Sequence, residues 1–255
     1  MNDVDYELFY WPHIPGRGEL VRLALEDAGA PYVDVARSPA HGGVEALKAL
    51  LQEHPRVGAR PFAPPILRHG SLVLAQVGAI LAYLGPRLGL AGEGEGQGHG
   101  TLALQLTISD LVSEVHDTHH PIGTSLYYEE QTEAARQRTT AFLEHRLPKF
   151  LDYFERIVRE NADAREPRSL VGVHTYADLS MFHVLAGLRY AFPRAMAAKQ
   201  RDLPALASLE ERVASRPRVA AYLASPRRLA FSSSGIFRAY PELDLVPSWA
   251  AEGTP

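Results

Sequence analysis

The sequence contains no cysteine, only three methionines and two tryptophans, and no long apolar run. Without cysteine the chain has no disulfide, no thiolate metal site and no nucleophilic thiol of its own. Any sulfur chemistry therefore has to use a thiol carried by a ligand. A membrane helix needs about 20 consecutive apolar residues, and none is present, so no membrane span is expected. An excess of basic residues is missing too. The 26 Lys and Arg face 30 Asp and Glu, for a net charge of −4, which argues against a broad nucleic-acid or anionic-membrane footprint. The opening MNDVDYE is acidic and lacks the basic-then-apolar layout of a secretion signal, so a cytoplasmic location is expected.

At 255 residues and 46% hydrophobic content, one large domain or two small ones is expected, and the hydrophobic periods change part-way. YELFYW (6–11) is a β-prone aromatic run, and GELVRLALEDAG (18–29) follows with helical spacing. PYVDV (31–35) reads as a strand and VEALKALL (44–51) as a helix; then come PPIL, the turn RHG, the strand SLVLAQ and the helix VGAILAYLGPRLGL. The order β-α-β-α-β-β-α over residues 1–90 predicts a small α/β layer fold. GEGEGQGHG (92–100) alternates glycine with polar residues. No predicted strand leads into it, which removes the nucleotide-loop reading, and residues 91–100 read as a flexible linker.

Beyond the linker the periods are almost all helical. A helix is predicted from Thr101 to His120, stopped by Pro121, and another over 131–161 with a kink at Pro148. TYADLSMFHVLAGLRYAF (175–192) opens with Thr175 and Asp178 at capping-box spacing, and LPALASLEERVAS and RPRVAAYLAS add two shorter helices. The helical domain is placed at 101–224 and a loop-like tail at 225–255. The fold class is α/β followed by all-α.

FAPPIL (62–67) puts two prolines where a strand is about to begin. Proline gives no N–H to a β-ladder. The pair is either a stiff turn or a cis-proline that turns its backbone toward a ligand. Pro65 and Gln76 are eleven residues apart, and QVGAILAYLG starts at Gln76. Together with FYWPHIPGRGELVRLAL, TYADLSMF and SRPRVAAYLAS, in that order along the whole chain, these segments resemble the cytosolic glutathione transferases, and in particular a tyrosine-type, bacterial-like member.

The resemblance implies a thioredoxin-like N-terminal domain, an all-helical C-terminal domain and a homodimer. Pro65 would be the cis-proline. Pro64 would pair its backbone with the cysteinyl part of glutathione, through its carbonyl alone because proline has no N–H. Gln76 and Val77 would hold the γ-glutamyl carboxylate at a helix N-terminus, with Val77 replacing the usual serine. Tyr10 matches the catalytic tyrosine, against the alternative of a packed aromatic and with Tyr6 as rival; the loop after Tyr10 is one residue longer than in the tyrosine classes. Trp11 and Arg17 would contact glutathione or serve packing. Arg56 would take the glycyl carboxylate or stay a solvated charge. Asp117 would reach the γ-glutamyl amine across the dimer, with Asp110 and Glu114 competing for that role.

His116, His119 and His120 stand at i, i+3 and i+4. They read as metal ligands, as charge at a helix C-terminus, or, for His116 or His120 with Tyr127 or Tyr128, as the lining of an electrophile pocket. No metal site is assigned. A free thiol has a pKa near 8.5 and is only a few per cent thiolate at pH 7. One charge-assisted hydrogen bond, about 1.5–3 kcal/mol, lowers that pKa by about one to two units. The implied reaction is attack of the glutathione thiolate on a small hydrophobic electrophile, as in detoxification. The alternatives are a non-enzymatic ligand-binding or interaction protein of the same fold, and a glutathione-dependent isomerase.

Overall fold

The computed structural model describes residues 5–161 and 168–251; residues 1–4 of the acidic start and 252–255 of the tail lie outside it. The N-terminal half contains β1 (Tyr6–Phe9), α1 (Gly18–Ala28), β2 (Tyr32–Asp34), α2 (Gly43–Gln52), β3 (Val57–Gly58), β4 (Ile66–His69), β5 (Leu72–Ala75) and α3 (Val77–Leu88). The sheet runs β2-β1-β4-β5-β3. β1 and β2 are parallel across the α1 crossover, and β4 and β5 form an antiparallel hairpin. Successive side chains of a strand face opposite ways, and that alternation divides the core. Leu8 and Leu67 pack with Val21, Leu25 and Ile80, whereas Phe9 and Ile66 pack with Leu47 and Leu50. The short β3 has no counterpart among the predicted strands, because two exposed residues carry no readable alternation.

The second half contains α4 (Gly94–Asp117), α5 (Thr132–Ala141), α6 (Leu147–Glu160), α7 (Tyr176–Ala191), α8 (Pro193–Lys199), α9 (Pro204–Ala214), α10 (Pro217–Leu223) and the short α11 (Ser248–Ala251). α7 is its centre, buried along nearly its whole length. The largest core cluster combines α7 with Leu20 and Leu23 of α1 and Val77 and Leu81 of α3, so the two halves share one core. The capping box forms: the carboxylate of Asp178 accepts the Thr175 N–H at 2.8 Å and also takes the Leu170 N–H at 3.0 Å.

Three expectations are corrected. The glycine-rich stretch is not a flexible linker, since it is helical from Gly94 onward. Each glycine costs a helix about 1 kcal/mol relative to alanine, but this start is tied down. Gln97 accepts the Glu93 N–H through Oε1 and donates through Nε2 to the Val171 carbonyl at 3.1 Å. The Thr101 hydroxyl donates to the Gln97 carbonyl at 2.8 Å. Pro148 does not simply kink a helix; a π-helical turn, Phe142–Arg146, separates α5 from α6. Proline cannot donate to the carbonyl four residues back, and the wider turn absorbs the missing bond. The tail is not a plain loop. Ile236, Phe237 and Leu243 are buried in it, and the Trp249 indole N–H donates to the Leu143 carbonyl at 3.0 Å.

Candidate active site

A cleft of about 490 Å³ opens between the start of α3 and one face of α4. Its first wall is Phe62 to Pro65 followed by Gln76 to Ala79. The Pro64–Pro65 peptide bond is cis, and both prolines line the cleft. Gln76 has φ +71° and caps α3 without a side-chain hydrogen bond. The left-handed region is sparsely populated by residues with a side chain and marks positions under local constraint. Here it turns the chain sharply from β5 into α3. The first N–H groups of α3 have no side-chain acceptor at the cap, which suits an anion. Gly78 lets α3 approach α4 closely, since a Cβ there would lie 3.1 Å from Leu106 Cδ2.

The second wall comes from Arg17 and Leu20 of the α1 region and from Leu106, Ser109, Val112 and Ser113 of α4. Leu106, Ser109 and Ser113 recur at helical spacing and present one face. Arg17 has no carboxylate partner among the described residues, and its guanidinium lies 3.4 Å from Ser113 Oγ. The wall therefore offers one positive charge and two hydroxyls on an otherwise apolar surface.

Tyr10 lies directly after β1, is buried, and accepts the Arg17 backbone N–H on its hydroxyl at 2.9 Å. The loop closes tightly over it. A Cβ on Gly16 would fall 2.2 Å from the Tyr10 hydroxyl, and one on Gly18 would fall 2.5 Å from its Cγ. Burial raises the Tyr10 pKa above that of ordinary tyrosine, against the opposing pull of the loop N–H groups and of Arg17 and Arg22. The phenol is therefore neutral at physiological pH. With a lone pair committed to Arg17, its single proton is free to be donated elsewhere.

The sequence of a Xenopus laevis protein, glutathione S-transferase P 1, is 30% identical to this chain over 229 residues, covering 88% of this chain and 93% of the relative. The chain belongs to the glutathione S-transferase family. Residues 116–226 match the family's description "Glutathione S-transferase, C-terminal domain". A Plasmodium falciparum glutathione S-transferase is 26% identical over 232 residues, 89% of this chain and 99% of that one. Among solved structures, the pi-class glutathione S-transferase of Onchocerca volvulus superposes with a TM-score of 0.63 at 23% identity, over 86% of this chain and 92% of that chain. The prostaglandin synthase D of Nilaparvata lugens superposes with a TM-score of 0.68 at 18% identity, over 88% and 99%. At those identities the two structures establish the fold, a thioredoxin-like domain followed by a helical one.

Within this glutathione S-transferase fold, Arg17, Pro64, Gln76 and Val77 share the cleft lining. The other site residues expected from the sequence lie off it. Tyr10 is not among the cleft-lining residues, but its hydroxyl is bonded to the backbone N–H of Arg17, which is. Trp11 is 40% exposed, and Arg56 is exposed ahead of β3. Asp117 is half-exposed and pairs with Arg138 at 3.9 Å. Its competitor Glu114 is held by Arg146 at 2.6 Å, while Asp110 is exposed and makes no ion pair among the described residues.

The expected electrophile pocket of His116, His120 and Tyr127 is not the cleft wall. Tyr127 is 77% exposed and caps a 3-10 turn. The histidine rings pack on one another with centroids 4.8–5.2 Å apart, and buried His119 contacts the Ile236 carbonyl through Nε2 at 2.8 Å. Through that bond and a ring contact with Tyr240, His119 holds the tail. Among the described residues no group of three or more His, Asp or Glu is arranged to hold a metal ion. Burial, and then the charges of Arg17 and His120, hold His116 below the ordinary histidine pKa. What sequence reasoning missed is the α4 face itself. Its signal was the spacing of Leu106, Ser109 and Ser113, which merges into the longer apolar period of the helix.

Proposed function

We propose that the protein is a glutathione transferase that binds glutathione along the first wall of the cleft and presents its thiolate to a small hydrophobic electrophile held against α4. The observation that carries this is the convergence on one cleft of the Pro64–Pro65 segment, the open N-terminus of α3 and the Arg17 guanidinium, which has no carboxylate partner among the described residues, in a member of this family. The Pro64 carbonyl accepts the cysteinyl N–H in the manner of an added strand. Pro64 cannot return a donor, and the missing bond weakens binding by about 0.5–1.5 kcal/mol. The α3 N–H groups at Val77 receive the γ-glutamyl carboxylate. Arg17 supplies the positive charge at the thiol end, and the Tyr10 hydroxyl, off the lining but bonded to the Arg17 N–H, is the proton donor assigned to sulfur. Leu20, Leu106 and Val112 offer the electrophile an apolar surface, and Ser109 and Ser113 orient its polar substituent.

The wider setting belongs to the same proposal: a cytoplasmic, homodimeric detoxification enzyme. Phe62, on the first wall, is 93% exposed, apolar surface that a second copy would cover. None of the helices searched among the described residues is long and apolar enough to cross a membrane.

The deciding experiment is a pH titration of thiolate ultraviolet absorbance with glutathione bound, on the wild type and on Tyr10→Phe. A midpoint about one to two pH units below that of free glutathione, moved back up by the substitution, supports the proposal. If glutathione binds but the midpoint follows the free thiol, Tyr10 is structural. No binding at millimolar concentration overturns the glutathione reading.

A further inference from the structure

A buried charge cluster lies beneath the loop that leads into α1, and it lines no part of the cleft. Arg22 is fully buried, as is Glu19. Arg22 donates through Nε to Asp34 at 2.7 Å and through Nη1 to the Pro15 carbonyl at 3.2 Å, and Nη1 lies 3.4 Å from Glu19 Oε2. The Glu19 N–H donates to that same Pro15 carbonyl at 3.0 Å. The Glu19 carboxylate accepts the Tyr222 hydroxyl at 2.7 Å and pairs with Arg228 at 2.6 Å. Tyr222 belongs to α10 and Arg228 to the segment after it, so the cluster links α1 to the helical domain. The Arg22 guanidinium carbon is 5.7 Å from the centroid of the Tyr10 ring.

A buried ion cluster is a poor device for stability alone, because well-packed apolar residues of the same volume often do as well or better. The geometry gives this one a specific task. Two donors hold the Pro15 carbonyl, and the turn that begins there carries the Arg17 N–H that donates to the Tyr10 hydroxyl. Lysine cannot reproduce the grip. A guanidinium is a planar fork that reaches two acceptors in fixed directions, whereas an ammonium is a point charge.

We infer that Arg22 is a positioning residue for Tyr10, holding the Pro15–Arg17 turn that directs the Tyr10 proton, and that Glu19 makes this hold dependent on Tyr222 of the helical domain. The inference rests on the proposed role of Tyr10 in thiolate activation. It applies to a residue that touches neither glutathione nor electrophile.

The test uses the full-length protein and bound glutathione, with the thiolate absorbance titrated in Tyr10→Phe, Arg22→Met, Arg22→Lys, Tyr222→Phe and the double variant Tyr10→Phe with Arg22→Met. Arg22→Met is expected to raise the midpoint by about one pH unit while the glutathione Kd stays within about twofold. In the double variant the midpoint should rise no further than in Tyr10→Phe alone, because both changes act through one hydroxyl. Arg22→Lys should recover only part of the shift, and Tyr222→Phe should give a smaller shift of the same sign. If Tyr10→Phe moves the midpoint but Arg22→Met and Tyr222→Phe leave it in place, the inference is overturned and the functional reading stands. If Tyr10→Phe itself has no effect, the functional role of Tyr10 falls and the inference falls with it. Should Arg22→Met fail to fold, Tyr222→Phe decides, since an unchanged midpoint there breaks the proposed link.

Discussion

Gly18 illustrates how much at this site is decided by single atoms. Its missing side chain leaves room for the Tyr10 ring, and an added Cβ would stand 2.5 Å from Tyr10 Cγ and 2.6 Å from Cδ1. Gly18→Ala is therefore expected to cost about 1–3 kcal/mol of stability through overpacking and to reduce transferase turnover more than glutathione affinity, because it displaces the tyrosine and leaves the Pro64 wall alone. Urea denaturation and steady-state kinetics on the same preparation check both parts; unchanged turnover with lowered stability would remove Tyr10 from the chemistry. Residues of this kind were partly legible in the sequence. Pro65, Gln76 and Tyr10 could be placed by the resemblance of their segments to the glutathione transferases. Arg22 could not, because a charged residue in an amphipathic helix reads as a solvated position until the fold buries it.

Among the elements, α7 and the π-helical turn show two ways a sequence signal becomes structure. The Thr175–Asp178 box is local and could be read directly. The fold adds to it the Leu170 N–H and, from α9, Arg212 at 2.9 Å. Asp178→Ala is expected to lose at least about 2 kcal/mol, since two buried N–H groups are each left unsatisfied at about 1 kcal/mol or more. A guanidinium-chloride midpoint measures this, and a loss no larger than that of an exposed cap would show that the Arg212 and Leu170 bonds contribute nothing. Pro148 announced a break but not its form. Within the π-helical turn it accompanies, the Leu143 carbonyl accepts the Trp249 indole N–H and the Glu144 carboxylate accepts the Ser248 hydroxyl, which docks α11. Trp249→Phe is expected to cost about 1 kcal/mol from the lost hydrogen bond and to raise the protease sensitivity of the tail.

For the whole molecule, the buried titratable groups predict an acid-sensitive fold. Burial pushes His119 down to about 3 and, with Arg228 and Arg22 nearby, carries His183 well below the ordinary histidine value. Both are neutral in the fold, whereas an unfolded histidine takes up a proton below about pH 6.5. Their contribution is complete above that pH and is lost as pH falls toward the folded values, each adding a slope of up to about 1.4 kcal/mol per pH unit. Asp27 of α1 adds a second stage. Burial works against its ionisation, but hydrogen bonds from His174 and Arg216 outweigh this and hold its pKa below the ordinary carboxylate value. Its contribution is therefore present at neutral pH and is lost only below about pH 4. Stability measured by urea unfolding should fall from pH 7 to pH 5, and His119→Gln, which keeps a donor for the Ile236 carbonyl, should make the fall shallower. A pH-independent stability over that range would refute the histidine assignment.

The amino-acid sequence by itself determined the division into an α/β half and a helical half, the position of the strand-opening prolines and the capped central helix, because each is written in local periodicity and in residues with restricted backbones. It also excluded any thiol of the protein's own. Tertiary structure alone decided that the glycine-rich segment is helical, that His119 holds the tail and the histidines do not line the cleft, that the tail joins the core and that one face of α4 forms the second wall. These depend on which distant groups come together, and a hydrogen bond between Gln97 and Val171 or between His119 and Ile236 leaves no trace in the spacing of either segment.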